Sequence, residues 1–218
     1  MKNIMFIAPP AAGKGTQAEI IEKKYNIPHI STGDILRDIS KENSEIGNYV
    51  RETLASGNLV KDEITYQLIK NRLSMADCKK GYIIDGFPRN YMQALAYDSI
   101  LKDIGYSVGM VIVIDIDKKI LEKRITGRRV CDNCQSVFNI NDPLETPKEE
   151  SVCDFCGGRL YQRSDDNLEA FQNRYQTYLE YADEIIEHYS KQGVVYHIDG
   201  SKSVNDIAKQ IDDLIKHK

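Results

Sequence analysis

The sequence predicts an α/β fold in which a five-stranded parallel sheet is flanked by helices, and three observations predict it. Short apolar runs of strand length alternate with longer segments of helical period, the order that parallel strands impose because each crossover returns through a helix. Most of those runs are nearly continuously apolar, as strands covered on both faces must be. The first run breaks into a glycine-lysine turn and then a helix, the layout of a phosphate-binding loop on the edge of such a sheet. The 218 residues are enough for one good core and a smaller appendage, so one compact unit with insertions is expected.

Ile4, Met5, Phe6 and Ile7 form the first strand, and a helix from about Lys14 to Tyr25 follows, its apolar pattern opened by Ala18, Ile20 and Ile21. Between them, Gly13 and Gly15 let the backbone approach a phosphate chain. Amide N–H groups and the positive helix end then face anionic oxygens, and Lys14 adds charge. The match to G-x-x-x-x-G-K-[ST] departs twice, with Ala8 at the first glycine and Gly15 displacing the hydroxyl to Thr16. An ordinary strand-to-helix turn with a surface lysine is the competing reading, which the rest of the chain decides.

Residues 28–31 read as a second strand, with Thr32 capping the next helix, whose apolar side is Ile35, Leu36 and Ile39. Arg37 lies one turn in, within reach of an anion held at the helix N-terminus. Residues 45–55 and 62–74 read as two more helices, split by Ser56, Gly57 and Asn58, and this helical insertion could cover a ligand. Residues 81–85 form a third buried strand that ends in Asp85, which resembles a Walker B element whose acid holds Mg²⁺ directly or through water. The turn Gly86-Phe-Pro-Arg89 leads to a helix over 91–104. It leaves Arg89 and Gln93 at the carboxyl edge of the sheet, where open parallel sheets bind ligands. The fourth strand is residues 110–115. Asp117 then caps a helix carrying Ile120, Leu121, Arg124 and Ile125. Residues 194–198 give the fifth strand, and the closing helix puts Val204, Ile207, Ile211, Leu214 and Ile215 on one face.

Between the fourth and fifth strands the composition changes. Cys131 and Cys134, then Cys153 and Cys156, are two C-x-x-C pairs whose spacing points to a structural zinc site: two knuckles close a tetrahedral shell with no open position. Disulfides are disfavoured because nothing suggests an oxidising compartment, and spacing alone leaves iron–sulfur ligation open. Cys78 is left over as a small buried residue. The segment has few large apolar side chains, so metal binding supplies the free energy that folds it into a flap. Arg124, Arg128 and Arg129 precede the flap, and Arg159 and Arg163 follow it. The next helix is expected to begin near Asp165 or Asp166, with Leu168, Phe171, Tyr175, Leu179, Ala182, Ile185 and Tyr189 as its packing stripe. Arg174 stands beside that stripe, where it can meet the flap arginines over the phosphate loop.

Composition limits the partners. With 41% hydrophobic and 28% charged residues the chain reads as a soluble globular protein, and no apolar run approaches a membrane span. The apolar start is too short for a secretory signal, so a cytoplasmic location is expected. A net charge of −4 and a pI near 5.6 argue against a broad nucleic-acid-binding surface. A zinc-binding DNA module would explain the knuckles and the arginines but neither the phosphate loop nor the alternating strands, and the acidic pI and the absence of a basic stripe speak against a zinc-dependent nucleic-acid-binding ATPase.

Taken together, Gly13-Lys-Gly-Thr-Gln17, Ser31-Thr-Gly-Asp34, Asp85-Gly-Phe-Pro-Arg89, Gly127-Arg-Arg-Val-Cys131 and Tyr161-Gln-Arg-Ser-Asp-Asp166 resemble, along the whole chain, the bacterial adenylate kinases that carry a long zinc-binding lid. The resemblance implies a P-loop NTPase-like core formed by residues 1–30, 61–127 and 165–218. To it are added an NMP-binding insertion at 31–60 and a zinc-binding lid at 128–164. It also implies a monomer that transfers a phosphoryl group reversibly from ATP to AMP with Mg²⁺, giving two ADP. On this reading Ala11, Ala12, Gly13, Lys14, Gly15 and Thr16 hold the ATP phosphates, Arg128, Val137 and Phe138 contact ATP from the lid, and Lys202 lies by its base. AMP is held by Thr32, Arg37, Asn58, Leu59, Val60, Gly86, Phe87, Pro88, Arg89 and Gln93. Arg124, Arg163 and Arg174 grip the transferring group and its neighbours, Arg163 and Arg174 also reaching AMP. Asp85 orders the Mg²⁺ water shell, and the four paired cysteines bind Zn²⁺. The family usually has glycine where Ala8 and Ala11 stand and threonine at Asn90, and a nucleoside monophosphate kinase with another base is the neighbouring possibility.

Overall fold

The computed structural model describes residues 2–217. Its five-stranded parallel sheet is built from β1 (Lys2–Ile7), β2 (His29–Ser31), β3 (Gly81–Asp85), β4 (Met110–Asp115) and a last strand, Val195–Asp199, in the order β2-β3-β1-β4-last. Eight helices connect and cover it: α1 (Lys14–Tyr25), α2 (Thr32–Ile39), α3 (Glu45–Ala55), α4 (Asp62–Leu73), α5 (Tyr91–Asp103), α6 (Lys118–Gly127), α7 (Leu168–Ser190) and α8 (Val204–Lys216). The flap holds a second, antiparallel sheet of three short strands, β5 (Arg128–Cys131), β6 (Val137–Asn139) and β7 (Leu160–Tyr161), so the last strand of the parallel sheet is β8.

Alternation along the strands explains why the sheet is covered on both faces. Ile4, Phe6, Ile83, Ile112 and Ile114 point to one side, where they meet Ala18 and Ile21 of α1, Leu121 and Ile125 of α6 and Ile207 and Ile211 of α8. Met5, Ile7, Tyr82, Ile84, Val111 and Val113 point to the other, against Ile69 and Leu73 of α4, Tyr97 and Leu101 of α5 and Ile185 and Tyr189 of α7. Cys78, in a short 3₁₀ helix at Ala76–Lys80, is part of this second cluster, in keeping with its reading as a small buried residue.

Register places the strand ends together. Phe6 and Ser31 both pair with Asp85, and Asp115 pairs with Asp199, so the loops after β1, β2, β3, β4 and β8 open on one edge. The chain leaves β1 toward β2 on one side and later passes from β3 to β4 on the other, which makes the centre of the sheet the point where its winding reverses.

Three expectations are corrected. The cap of α2 is Ser31, whose extended backbone lets its hydroxyl accept from the Asp34 amide, while Thr32 is already helical and buried and its hydroxyl donates to the Asp85 carbonyl at 3.1 Å. α7 begins at Leu168, capped by Asn167 through the Ala170 amide at 2.8 Å, because Asp165 and Asp166 turn to arginines instead. Within α7, Phe171, Ala182, Ile185 and Tyr189 are buried as expected, but Leu168 and Leu179 are half exposed and lie off the packed stripe.

Candidate functional site

The loop between β1 and α1 leaves a helix N-terminus unfilled. Gly13, its cap residue, has φ +89 and offers no side chain, and the first turn of α1 carries no acid, so the leading amides of the helix remain available to an anion. Lys14 folds back over the loop and donates to the carbonyls of Ala8 at 3.0 Å and Pro9 at 3.1 Å. Burial lowers its pKa to about 8, with Arg89, Arg174 and Arg128 acting in the same direction and Asp85 opposing. Such an ammonium gains most from a polyanion that restores its charged partners.

Facing the loop, Asp85 closes β3 beside His29, whose Nε2 lies 3.7 Å from the carboxylate, beyond hydrogen-bond reach. Burial alone would raise the Asp85 pKa. His29, Lys14 and Arg89 outweigh it and hold the group at about 2, so it is an anion at every physiological pH. Arg89, half-buried in the turn after β3, donates through Nε to the Gly86 carbonyl at 2.6 Å and through its amide to Gln93 Oε1 at 2.7 Å.

These groups open on a cleft of about 720 Å³ at the carboxyl edge of the parallel sheet. Ala11, Ala12, Gly13, Lys14, Gly15 and Thr16 line its floor, and Asp85, Gly86, Pro88 and Arg89 line the adjacent wall. Arg37 and Leu59 reach it from the helical insertion, Arg128, Val137 and Arg163 from the flap, and Arg124, Arg174 and Lys202 from the core. Thr32, Asn58, Val60, Phe87, Gln93 and Phe138 do not line it. All but Asn58 are buried, and Asn58 accepts from Asn173 on α7 at 2.9 Å.

The arginines are held by carboxylates whose partners the sequence did not reveal. Arg128 forms a forked pair with buried Asp166, one bond at 2.8 Å, Arg174 pairs with Asp165 at 2.8 Å, and Arg37 and Arg163 share Asp34, the latter at 3.5 Å. Arg124 donates to the Gly200 carbonyl at 3.3 Å, which ties α6 to the loop carrying Lys202. Adjacent aspartates after a flap arginine are the one signal that could have marked Asp165 and Asp166 in advance.

In the flap, the Sγ atoms of Cys131, Cys134, Cys153 and Cys156 lie within 4.8 Å of one another, with Cys131–Cys156 at 3.4 Å and Cys134–Cys153 at 3.6 Å. A disulfide needs about 2.0 Å between sulfurs. The edges of a tetrahedron with metal–sulfur bonds near 2.3 Å are about 3.8 Å, so the donor set fits a thiolate-bound metal. Both knuckles turn alike: Gln135 at φ +62 and Gly157 at φ +71 donate back to the carbonyls of Cys131 and Cys153. Among the described residues, the buried cluster of the flap joins Cys131 and Cys153 to Phe138 and Leu160 alone, which is too small to order the segment by itself.

Comparison with known proteins agrees with this arrangement. A family model described as adenylate kinase matches residues 6–194. Relatives named adenylate kinase include one from Clostridioides difficile, 45% identical over 208 residues and covering 95% of both chains. Another, from Archaeoglobus fulgidus, is 42% identical over 214 residues and covers 98% of both. A third, from Bacillus pumilus, is 43% identical over 213 residues, covering 98% of this chain and 97% of the relative.

Proposed function

Because the chain belongs to the adenylate kinase family and transfers phosphoryl groups between nucleotides, we propose that it moves the terminal phosphoryl group of ATP reversibly to AMP, giving two ADP, in a Mg²⁺-dependent reaction. The observation that carries this reading is the convergence of Lys14, Arg37, Arg89, Arg124, Arg128, Arg163 and Arg174 on one cleft beside the phosphate loop.

Phosphoryl transfer requires alignment and charge stabilisation more than a protein nucleophile, so the absence of a general base among the proposed residues is no objection. The amides of residues 11–16 and Lys14 would hold the ATP phosphates, Arg128 and Val137 would contact ATP from the lid, and Lys202 would lie by the base. Arg37, Arg89 and the turn at Gly86, Phe87 and Pro88 would hold AMP, with Leu59 beside it. Arg124, Arg163 and Arg174 would exchange their aspartate and carbonyl partners for phosphate oxygens. Phe138, Thr32, Asn58 and Val60 would then act from behind, shaping the backbone that meets the nucleotides. Mg²⁺, bound with ATP, neutralises phosphate charge. The low pKa of Asp85 suits it to accept hydrogen bonds from the ion's water shell.

The tetrahedral spacing of the cysteine sulfurs supports a structural Zn²⁺ in a long lid, within residues 128–164, that excludes water when it covers the cleft. Residues 31–60 would be the acceptor-binding part and the remainder the core. The acidic balance and the lack, among the described residues, of a helix long and apolar enough to cross a membrane fit a cytoplasmic, monomeric enzyme.

The test is an initial-rate assay with ATP and a panel of AMP, GMP, CMP and UMP, run with and without a strong zinc chelator. AMP should be preferred by at least about tenfold, as expected when buried polar groups read a base, and chelation should depress the rate. Zinc-loaded protein that transfers nothing to AMP would refute the proposal.

A further inference from the structure

Gln93 is buried and its carboxamide is pinned at both ends. Its Oε1 accepts from the Arg89 amide at 2.7 Å, and its Nε2 donates to Asp62 Oδ1 at 2.7 Å. Turned over, the carboxamide would set N–H against N–H at Arg89 and oxygen against carboxylate at Asp62. The two partners therefore define the orientation. The backbone is fixed as well, because the Gln93 amide donates to Asn90 Oδ1, the cap of α5, at 2.8 Å.

Asp62 belongs to a different element, the first turn of α4, so it reaches across to α5 from the far side of the turn that carries Arg89. Its second oxygen accepts from the Tyr66 hydroxyl at 3.3 Å and lies 3.5 Å from Asn90 Nδ2. A threonine at position 90 could cap the helix but could not offer that N–H.

A carboxamide has two acceptor lone pairs and two N–H groups. With one of each engaged by Arg89 and Asp62, Gln93 keeps one lone pair on Oε1 and one N–H on Nε2. That pair complements a base edge with an amino donor beside a ring-nitrogen acceptor, the Watson–Crick edge of adenine. Hypoxanthine presents the reverse, an oxygen acceptor beside an N–H. A carboxamide free to rotate could satisfy either edge, whereas a pinned one is left unpaired by the wrong base.

We propose that Asp62 is a specificity-determining positioning residue: by locking the orientation of Gln93 it makes the acceptor site read adenine and reject 6-oxopurines. This rests on the reading of AMP as acceptor, with its base reaching past the turn at Gly86–Arg89 that lines the cleft to the edge of Gln93 behind it.

The experiment compares AMP and IMP as acceptors, with ATP as donor, for the zinc-loaded wild type, Asp62→Asn, Gln93→Leu and the double variant. D62N keeps shape but can accept or donate, so the carboxamide is held by the Arg89 amide alone and its turned-over state becomes accessible. It should reduce the AMP-over-IMP ratio of kcat/KM by about tenfold or more, through a higher KM for AMP and a lower KM for IMP, with the KM for ATP unchanged. In the Q93L background the same substitution should leave the ratio where Q93L alone puts it. Tyr66→Phe, which removes a contact from the other Asp62 oxygen, should leave the ratio unchanged. Asp62→Ser replaces D62N if that variant melts below the assay temperature. A wild type that prefers AMP while D62N and D62S keep its selectivity overturns the proposal, as does an equal loss with both acceptors. A wild type that does not use AMP overturns the acceptor reading instead.

Discussion

Ala11 has φ +64, a left-handed conformation that costs a residue with a Cβ about 1–2 kcal/mol. Ala8, the other alanine where the family usually has glycine, is not among the positive-φ residues, so the two departures differ physically. Ala11→Gly should raise the urea midpoint of the nucleotide-free protein. It relieves about 1–2 kcal/mol of strain and gives back roughly 0.4–1 kcal/mol through the looser unfolded chain. Ala8→Gly should lower the midpoint, because only the unfolded-state effect remains. Equal shifts in the two variants would contradict this account. At this scale the sequence revealed residues whose chemistry is carried by type and spacing: Lys14 after Gly13, Asp85 at a strand end, and the cysteine pairs. It did not reveal Asp34, Asp62, Asp165 or Asp166 as partners, because any of 33 acidic residues could pair with an arginine and only the fold chooses among them.

The core elements follow their sequence patterns closely, since strands buried on both faces and amphipathic helices each leave a distinct apolar period. The bounds of α1, β3 and β4 agree with expectation, and those of α5 and β8 shift by about a residue, as helix and strand ends commonly do. The flap sheet was illegible because its strands are too short for a period and are organised around sulfur rather than apolar packing. Its link to α6 is specific. Asn139 donates to the Arg124 carbonyl at 3.0 Å and Asn141 to the Lys123 carbonyl at 2.9 Å, capping the last turn of α6, and a side chain at Gly127 would collide with Asn139. Metal removal should therefore act locally. With a strong chelator, amide exchange over residues 131–161 should accelerate while β1, β3 and β4 keep their protection, and readdition of Zn²⁺ should restore the flap. Unchanged exchange in the flap would mean that the cysteines do not order it through a metal.

For the whole molecule, a protein with a net charge of −4 gathers Lys14 and six arginines on one cleft at the edge where its sheet reverses winding. Aspartates on the insertion and on the segment after the flap hold four of the arginines meanwhile, so the cationic wall is organised before phosphate arrives. The insertion, the flap and the core each contribute to that wall, which suits two nucleotides brought end to end. The position of the phosphate loop, the acidic strand end and the arginines was legible in advance. The pinning of Gln93 by Asp62 needed the structure, because it joins two helices through side chains that carry no motif. The central claim, transfer between two nucleotides bound in one cleft, is tested most directly by incubating the zinc-loaded protein with ADP and Mg²⁺ alone and following products by phosphorus NMR. The account predicts that ATP and AMP appear in equal amounts with no free phosphate. ADP left unchanged, or AMP released with inorganic phosphate and no ATP, would contradict it.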